Sequence, residues 1–252
     1  MDVIYGRNPV LEALRAQRPA RKLVLADGIR EDSRVREIRE RALESGIPVE
    51  TSPRRRLDDI AHTEHHQGVA GYFHAREPLR LEELLGGARS PALLLALDGI
   101  QDPQNLGAIA RSAEACAVDG IVLPRRQAAS LTGAAAKASA GAVEHLRIAT
   151  VANLNMALET IGASGITRVG LDSAGTTRYD GFDYTQPVAL VVGAEGRGLH
   201  ELTRRHCDAL VSLPMLGRVS SLNAGAAAAV LLYEVQRQRG FNAAAPSGSA
   251  SH

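Results

Sequence analysis

Residues 188–199 read VALVVGAEGRGL, an apolar run that passes into a glycine-rich loop. The five apolar residues at its start are typical of a strand that is covered on both faces. Glycines in the loop allow backbone N–H groups to approach a ligand closely. The glycine order G-x-x-G-x-G differs from the G-x-G-x-x-G of dinucleotide-binding loops, which disfavours a nicotinamide-dependent oxidoreductase. The stretch therefore predicts a buried strand followed by a ligand-binding loop of another kind.

The same strand-then-helix pattern recurs through residues 91–240. Apolar runs predict strands at 93–97, 120–123, 146–149, 168–172, 188–192 and 209–213, with a last helix over 221–239. Continuous apolar strands that alternate with helices are typical of a mostly parallel sheet with helices on both faces. This α/β unit is the larger of two predicted domains.

Residues 1–76 predict a small N-terminal α/β domain. Its expected strands lie at 23–26, 47–50 and 68–74. The first helix is expected to have Asn8 as its cap and Pro9 as its first residue, the second to be capped by Asp32 or Ser33, and the third to begin at Ser52-Pro53. Residues 77–90 contain a Gly-Gly pair and alternating charge, which indicates a linker with one helical turn in LEELL. The polar and small residues of 241–252 predict a disordered tail.

The composition restricts the function. A formal net charge of +1 argues against a protein that coats nucleic acid by bulk charge, although a local basic site is compatible with it. Lys22 and Lys137 are the only lysines, so contacts with anions depend on arginine, whose planar fork suits phosphate. Cys116 and Cys207 fit no metal-ligand spacing. With no signal peptide or membrane-length apolar segment, the sequence predicts a cytoplasmic protein that does not contact membranes.

Two further segments contain polar residues next to strand ends. Residues 97–107 read LDGIQDPQNLG, and this strand end, polar turn and helix start are followed by Arg111, which we expect to face the same mouth as Asn105. Residues 213–225 read LPMLGRVSSLNAG, where Ser220 or Ser221 is the expected N-cap of the last helix. Taken alone, each segment is also typical of an ordinary capped helix.

Together, the three segments resemble the SpoU branch of the SPOUT RNA methyltransferases over about residues 91–239. The shared patterns are D-x-x-x-D-P-x-N-x-G-x-x-x-R, G-A-E-G-x-G-L and P-M-x-G-x-x-x-S-L-N. In the N-terminal part, residues 5–14 (YGRNPVLEAL) and 66–69 (HQGV) resemble the substrate-binding domain of the same subgroup, which is similar to ribosomal protein L30e and recognises RNA.

The resemblance implies a deep trefoil knot in the C-terminal domain, a homodimer and the cofactor S-adenosyl-L-methionine. It also implies 2′-O-methylation of RNA, with a guanosine in the peptidyl-transferase region of 23S ribosomal RNA as the expected target, either naked or in a ribosomal assembly intermediate. Relatives that methylate transfer RNA share the C-terminal patterns. A transfer-RNA enzyme and a non-catalytic RNA-binding protein of the same fold therefore remain as alternatives.

The resemblance also assigns site residues by motif position. It implies an active site formed by Asn105, Arg111, Glu195, Ser221 and Asn223. It implies cofactor contacts from Gly193, Ala194, Gly196, Gly198, Leu213, Met215 and Leu222. Family proposals make the arginine the base, but a guanidinium has a pKa above ~12. We therefore expect Arg111 to clamp RNA phosphate and developing negative charge. No metal is needed, since the sulfonium is already a potent methyl donor.

Three other features are ambiguous in the sequence. Arg7 and the run Arg54, Arg55 and Arg56 are candidates for RNA phosphate contacts, although charge runs are usually solvated. The histidines at 62, 65 and 66 match no standard zinc spacing, and a solvated turn is the preferred interpretation. Gly225 stands where the family usually has serine, so a hydroxyl near the pocket is missing.

Overall fold

The computed structural model describes residues 1–128, 133–219 and 221–242, which form two α/β units and a connecting segment. The predicted disordered tail lies outside these ranges from residue 243 onward. Within the described ranges, no helix is long and apolar enough to cross a membrane. The same residues contain no group of three or more His, Cys, Asp or Glu side chains that could hold a metal ion.

The N-terminal unit contains a four-stranded mixed sheet and three helices. Its strands are β1 (Asp2–Tyr5), β2 (Ala20–Ala26), β3 (Val49–Ser52) and β4 (Val69–Phe73), and its helices are α1 (Arg7–Arg15), α2 (Ser33–Glu44) and α3 (Arg54–Ala61). The strand order is β1-β4-β2-β3. The prediction of β2, β3 and β4 is confirmed. The sequence does not predict β1, because four residues with a single buried side chain, Ile4, give no readable alternation.

The starts of α1 and α2 differ in whether the predicted capping residue caps the helix. Asp32 caps α2 as predicted, since its Oδ1 accepts a 2.9 Å hydrogen bond from the Val35 amide. The expectation that Asn8 caps the first helix is wrong, because α1 already begins at Arg7. Gly6 takes the cap position with φ of 98°, a conformation that favours glycine.

The connecting segment packs against the C-terminal unit. It contains the short helix α4 (Leu81–Gly86), which matches the helical turn predicted in LEELL. Leu84 is fully buried, and the Leu79 amide donates a 2.8 Å hydrogen bond to the carbonyl of Ile148. These contacts tie the segment to the domain that follows it.

The C-terminal unit is a seven-stranded parallel sheet flanked by helices. Its strands are β5 (Leu93–Asp98), β6 (Gly120–Pro124), β7 (Ile148–Val151), β8 (Thr167–Leu171), β9 (Thr177–Arg178), β10 (Val188–Gly193) and β11 (Ala209–Ser212). Its helices are α5 (Pro103–Ala115), α6 (Arg125–Ala128), α7 (Gly133–Ala138), α8 (Leu154–Ala163), α9 (Glu201–Arg205) and α10 (Ala224–Gln238). The strand order is β7-β6-β5-β10-β8-β11-β9. This confirms the predicted α/β architecture and its six strands; β9 has only two residues and gives no sequence signal.

Burial on both faces explains why these strands are continuously apolar. Along β5, Leu93, Leu95 and Leu97 pack into the core on one face. Leu94 and Ala96 alternate with them and pack into the core on the other face. In β5 and β10, polar residues are thereby excluded from the buried part of the strand and follow at its carboxyl end, where ligands bind in open parallel sheets.

A buried ion pair joins the two α/β units. Arg18 of the N-terminal unit contacts Glu144 at 3.0 Å, and the two side chains are only 8% and 2% exposed. Arg18 also pairs with Asp2. A second contact between the units is a 2.9 Å hydrogen bond that Lys137 donates to the carbonyl of His65. Side chains from both units therefore hold the N-terminal unit against the unit that contains the parallel sheet.

Candidate active site and cofactor pocket

Three loops meet at the carboxyl edge of the parallel sheet, after β5, β10 and β11. Gly193 at the end of β10 is directly paired with Asp98 at the end of β5. Beside them lies a cavity of about 580 Å³, a volume typical of small-molecule sites. All seven predicted cofactor contacts line this cavity, namely Gly193, Ala194, Gly196, Gly198, Leu213, Met215 and Leu222.

An amide–carboxylate cluster lies next to the cavity. Asn105 Nδ2 donates a 3.2 Å hydrogen bond to Glu195 Oε2. Asn223 Nδ2 donates to the same oxygen at 3.1 Å, and to Asn105 Oδ1 at 2.6 Å. Among the described residues Glu195 Oε1 has no partner, so this oxygen can accept a hydrogen bond from a substrate. Each of the three sequence segments contributes one member of the cluster.

Helix starts hold two members of the cluster in place. Asp102 caps α5 by accepting hydrogen bonds from the amides of Gln104 and Asn105. Asn223 caps α10 through Oδ1, which accepts from the amides of Gly225 and Ala226 at 2.9 and 3.3 Å. The expectation of a serine cap is therefore wrong. Asn223 takes that role because its carbonyl oxygen caps the helix while its amide nitrogen faces Glu195.

The described Ser221 is an exposed residue that lines the cavity. Ser220, the other cap candidate, lies outside the described residues. Ser221 thus lies at the cavity and, among the described residues, makes no hydrogen bond to the amide–carboxylate cluster.

Arg111 lies away from this cluster within the single chain. Its exposed side chain lines a different cavity of about 330 Å³, together with Glu12, Glu114 and His145. Six helical residues correspond to about 1.7 turns, which places Arg111 roughly 120° around α5 from Asn105. Within a single chain, the expectation that Arg111 and Asn105 face the same cavity is therefore wrong.

Two acidic residues of the site were not identified as site residues from the sequence. Asp172, directly after β8, lines the cavity and pairs with Arg204 at 3.0 Å. Asp98 accepts hydrogen bonds from His200, at 2.8 Å from the amide and 2.9 Å from the ring Nδ1. Both acids end or follow predicted strands, which was the available signal. No sequence signal indicated the basic partners.

Gly193 allows the glycine-rich loop to fold back on the end of β10. A Cβ atom at this position would lie 2.2 Å from the carbonyl carbon of Gly198. Gly196 and Gly198 have φ of 76° and 70°, where other residues are strained. The three glycines are therefore required by the backbone path that forms the cavity wall.

The candidate RNA-binding arginines differ in their surroundings. The guanidinium of Arg7 contacts Asp32 at 2.6 Å and donates to the carbonyl of Gln67, so it braces two loops of the N-terminal unit. Arg54, Arg55 and Arg56 form the exposed first turn of α3. Their exposure is compatible with phosphate binding and with simple solvation.

The histidine segment is only partly solvated. His66 is fully buried, which the interpretation as a solvated turn did not anticipate. Its Nδ1 accepts a 2.9 Å hydrogen bond from the Gly68 amide, and its Nε2 contacts Asp58 at the same distance. His66 therefore stabilises the turn before β4.

Gly225 is a point of close approach between α10 and α5. A Cβ atom on Gly225 would lie 2.8 Å from the Cβ of Ala108 and 3.1 Å from Asn223 Oδ1. The glycine lets the two helices pack together beside the amide–carboxylate cluster. This accounts physically for the departure from the usual serine.

Comparison with protein families gives two matches that together span most of the chain. Residues 92–233 match the model of the SpoU rRNA Methylase family. Residues 3–79 match the model described as RNA 2′-O ribose methyltransferase substrate binding.

Curated relatives support the same grouping. An uncharacterized tRNA/rRNA methyltransferase from Mycolicibacterium smegmatis is 46% identical over 241 residues, which cover 94% of this chain and 77% of the relative. A protein of the same description from Mycobacterium leprae is 45% identical over 240 residues, 94% of this chain and 78% of the relative.

Solved structures extend the similarity to the three-dimensional fold. The SpoU methyltransferase AviRb from Streptomyces viridochromogenes, in complex with AdoMet, is 28% identical with a TM-score of 0.79 and covers 95% of this chain and 91% of its own. An AdoMet-bound rRNA methyltransferase from Sinorhizobium meliloti is 27% identical with a TM-score of 0.77, and covers 94% of this chain and 87% of its own.

Proposed function

The chain belongs to the SpoU rRNA methylase family, and from this premise we propose that it transfers a methyl group from S-adenosylmethionine to a ribose 2′-hydroxyl of RNA. The observation that carries the proposal is the cluster of Asn105, Glu195 and Asn223 beside the cavity. It places a carboxylate oxygen without a partner among the described residues next to a space large enough for the cofactor.

The cavity suits S-adenosylmethionine by its chemistry. Its walls include the apolar side chains of Leu213 and Leu222 and the backbone of the glycine-rich loop, which fit an adenine and a methionine chain. Its charged groups are the acids Asp172 and Glu195 and the bases Arg197 and Arg204. Such mixed charge complements a ligand that carries an ammonium, a carboxylate and a sulfonium.

When bound, the cofactor supplies a methyl group that is activated by the sulfonium. The ribose oxygen forms a bond with the methyl carbon as the bond from carbon to sulfur breaks, and the hydroxyl proton leaves. We propose that Glu195 Oε1 accepts this proton, because Oε2 is already held by two amide donors. Asn105 and Asn223 orient the carboxylate, so the enzyme need not rearrange it during the reaction.

The position of Arg111 supports a homodimer. The exposed face of α10 presents Val230 and Tyr233, which are 39% and 51% exposed. Arg111 is exposed on the neighbouring helix α5. We propose that a second copy of the chain covers this face. Arg111 of one protomer then reaches the cluster of its partner, where it clamps RNA phosphate and stabilises developing negative charge.

The finer assignments rest on resemblance and on strand order. We propose a guanosine in the peptidyl-transferase region of 23S ribosomal RNA as target, recognised with the help of the N-terminal unit that matches a substrate-binding model. We also propose the deep trefoil knot, which is supported by an interleaved order in which β8 lies between the later strands β10 and β11.

Transfer of labelled methyl from S-adenosylmethionine to total RNA, followed by mapping of the modified nucleotide, tests the proposal. We expect label in 23S ribosomal RNA on a ribose oxygen. Label in transfer RNA alone would overturn the ribosomal target and keep the reaction. Calorimetry with S-adenosylmethionine that detects no binding would instead favour a non-catalytic RNA-binding protein.

A further inference from the structure

The arginines of the parallel-sheet unit fall into two groups. Most are neutralised or fully engaged by hydrogen bonds to carboxylates and carbonyls, and this group comprises Arg147, Arg168, Arg178, Arg204, Arg205, Arg237 and Arg239. Within residues 91–128, 133–219 and 221–242, the others make no such contact. They are Arg111, Arg125, Arg126, Arg197 and Arg218, and all of them are exposed.

The second group is distributed unevenly over the molecule. Arg125 and Arg126 follow directly after β6, Arg197 lies in the loop after β10, and Arg218 lies in the loop after β11. These positions all belong to the carboxyl edge of the sheet. At the opposite edge, Arg239 donates hydrogen bonds to the carbonyls of Pro91, Ala92, Tyr184 and Gln186. Among the described residues of the parallel-sheet unit, four of these five arginines, all except Arg111, thus lie on the side of the amide–carboxylate cluster.

Strand order arranges these four arginines, here called the edge arginines, in a row. From β6 the sheet continues through β5, β10 and β8 to β11. Four intervals between neighbouring strands span about 19 Å. The strands that lead to Asn105 and Glu195 are β5 and β10. Arg125 and Arg126, after β6, therefore lie on one side of the cluster. Arg197 follows β10 at the cluster itself, and Arg218 follows β11 on the other side.

We propose that the edge arginines form a phosphate-binding track that lays a single RNA strand across the carboxyl edge of the sheet, an inference that rests on the proposed methyl transfer to RNA. A span of about 19 Å corresponds to roughly five stacked nucleotides. Guanidinium groups without protein partners are the ones that can form bidentate contacts with phosphate. The track holds the phosphates on both sides of the ribose that faces Glu195.

The track also reconciles an RNA substrate with a net charge of +1. Among the described residues of the parallel-sheet unit, the other arginines except Arg111 are bonded to carboxylates or carbonyls, whereas the edge arginines are not and produce a local positive field at the site. It adds contacts that neither the sequence motifs nor the N-terminal candidates Arg54, Arg55 and Arg56 had indicated.

The test compares two charge-matched double variants of the full chain. Arg125→Gln/Arg126→Gln removes two edge arginines that do not line the cofactor cavity. Arg178→Gln/Arg205→Gln removes the same charge from side chains that are 68% and 70% exposed and paired with acids. Binding of a mixed-sequence single-stranded RNA oligonucleotide is measured as a function of salt, with S-adenosylmethionine affinity and thermal unfolding in parallel.

We expect the first double variant to bind RNA about tenfold more weakly, with a salt slope lower by about 2, and to keep its cofactor affinity. We expect the second to match the wild-type protein. Arg218→Gln, in a separate loop, is expected to lower the slope by about 1. Wild-type slopes in both edge variants would overturn the track. Because RNA binding is measured directly, absence of methyl transfer would contradict the proposed function without deciding this result.

Discussion

Asn223 Nδ2 donates a 2.6 Å hydrogen bond to Asn105 Oδ1, joining residues that are 118 positions apart. Each asparagine lies at the start of a helix, α10 or α5, and each also donates to Glu195 Oε2. The bond therefore fixes the helix starts that follow β11 and β5 against the loop that follows β10. Its geometry makes the cluster a single unit, and removal of one amide should affect the whole.

Asn223→Ser separates the capping role of this residue from its role in the cluster. Serine is also a good N-cap, so we expect the free energy of unfolding to change by less than about 0.5 kcal/mol. Both amide hydrogen bonds disappear, and we expect methyl transfer to fall about 100-fold. Asn153→Ala is the control, because Asn153 caps α8 with the same geometry, away from the site. It should cost ~1 kcal/mol and leave turnover unchanged. Full turnover in Asn223→Ser would show that the cluster has no part in the reaction.

Glu195→Gln tests the proposed proton acceptor. Glutamine keeps the size of the side chain and can still accept hydrogen bonds, but it cannot take up the hydroxyl proton. We expect turnover to fall by roughly 10²- to 10⁴-fold while S-adenosylmethionine affinity stays within about threefold of wild type. Single-turnover kinetics and calorimetry measure the two quantities separately. Turnover close to wild type would assign the proton to another group.

The sequence predicted the parallel sheet because its strands are buried on both faces and so exclude polar residues. Leu93 to Leu97 and Val188 to Val192 give this signal without interruption. The prediction failed where elements are too short to show a pattern, as in β1 and β9. It also failed at α1, where a positive φ at Gly6 begins the helix before the expected cap.

The resemblance assigned Asn105, Glu195 and Asn223 to one site, and the structure brings these three residues into hydrogen-bonding contact. The positions of Asn105, Glu195 and Asn223 follow from the three segments. The direction of Arg111 does not, since it depends on the angle around a helix and on which chain supplies the contact. The partners Arg204 and His200 could not be predicted either, because ion pairs between distant loops leave no local pattern.

Gly193→Ala should collapse the wall of the cofactor cavity. Its Cβ would lie 2.2 Å from the Gly198 carbonyl carbon, so the backbone must shift. We expect loss of detectable S-adenosylmethionine binding and destabilisation by about 2 kcal/mol or more. Gly217→Ala is the matched control, since its Cβ meets nothing within 4 Å and its φ is not positive. It should retain both properties in calorimetry and urea unfolding. Equal affinity in the two variants would contradict the assignment of the cavity.

The two thiols should be unreactive in the folded protein. Burial raises the pKa of Cys116 to about 11 and that of Cys207 to about 12. At pH 8 we expect a disulfide reagent to label neither thiol rapidly until denaturant is added. A raised pKa means that the folded state retains the thiol proton more strongly. The contribution of each protonated thiol to the free energy of unfolding is therefore complete below pH ~8.5, and it declines as the pH rises toward the raised pKa values of the two thiols.

Cys207→Ala should make the free energy of unfolding fall less steeply as the pH rises above ~8.5, because one of the two buried thiols is absent. The control is the wild-type free energy of unfolding, measured over the same pH range above ~8.5. A variant with an identical slope, or rapid labelling of the native protein, would show that the thiols are not held in their protonated form.

Gly225→Ser restores the residue usual in the family and should destabilise this chain. The new Cβ would lie 2.8 Å from Ala108 Cβ, and at 3.1 Å it also crowds the Asn223 oxygen that caps α10. We expect a loss of about 1–3 kcal/mol, typical of overpacking, and a lower turnover as Asn223 shifts. Adding Ala108→Gly removes the colliding methyl group. It should recover part of both losses, although glycine within α5 itself costs about 1 kcal/mol. A double-mutant cycle measured by urea unfolding gives the coupling. Additive effects of the two substitutions would mean that the close approach of α5 and α10 is not what excludes the serine hydroxyl here.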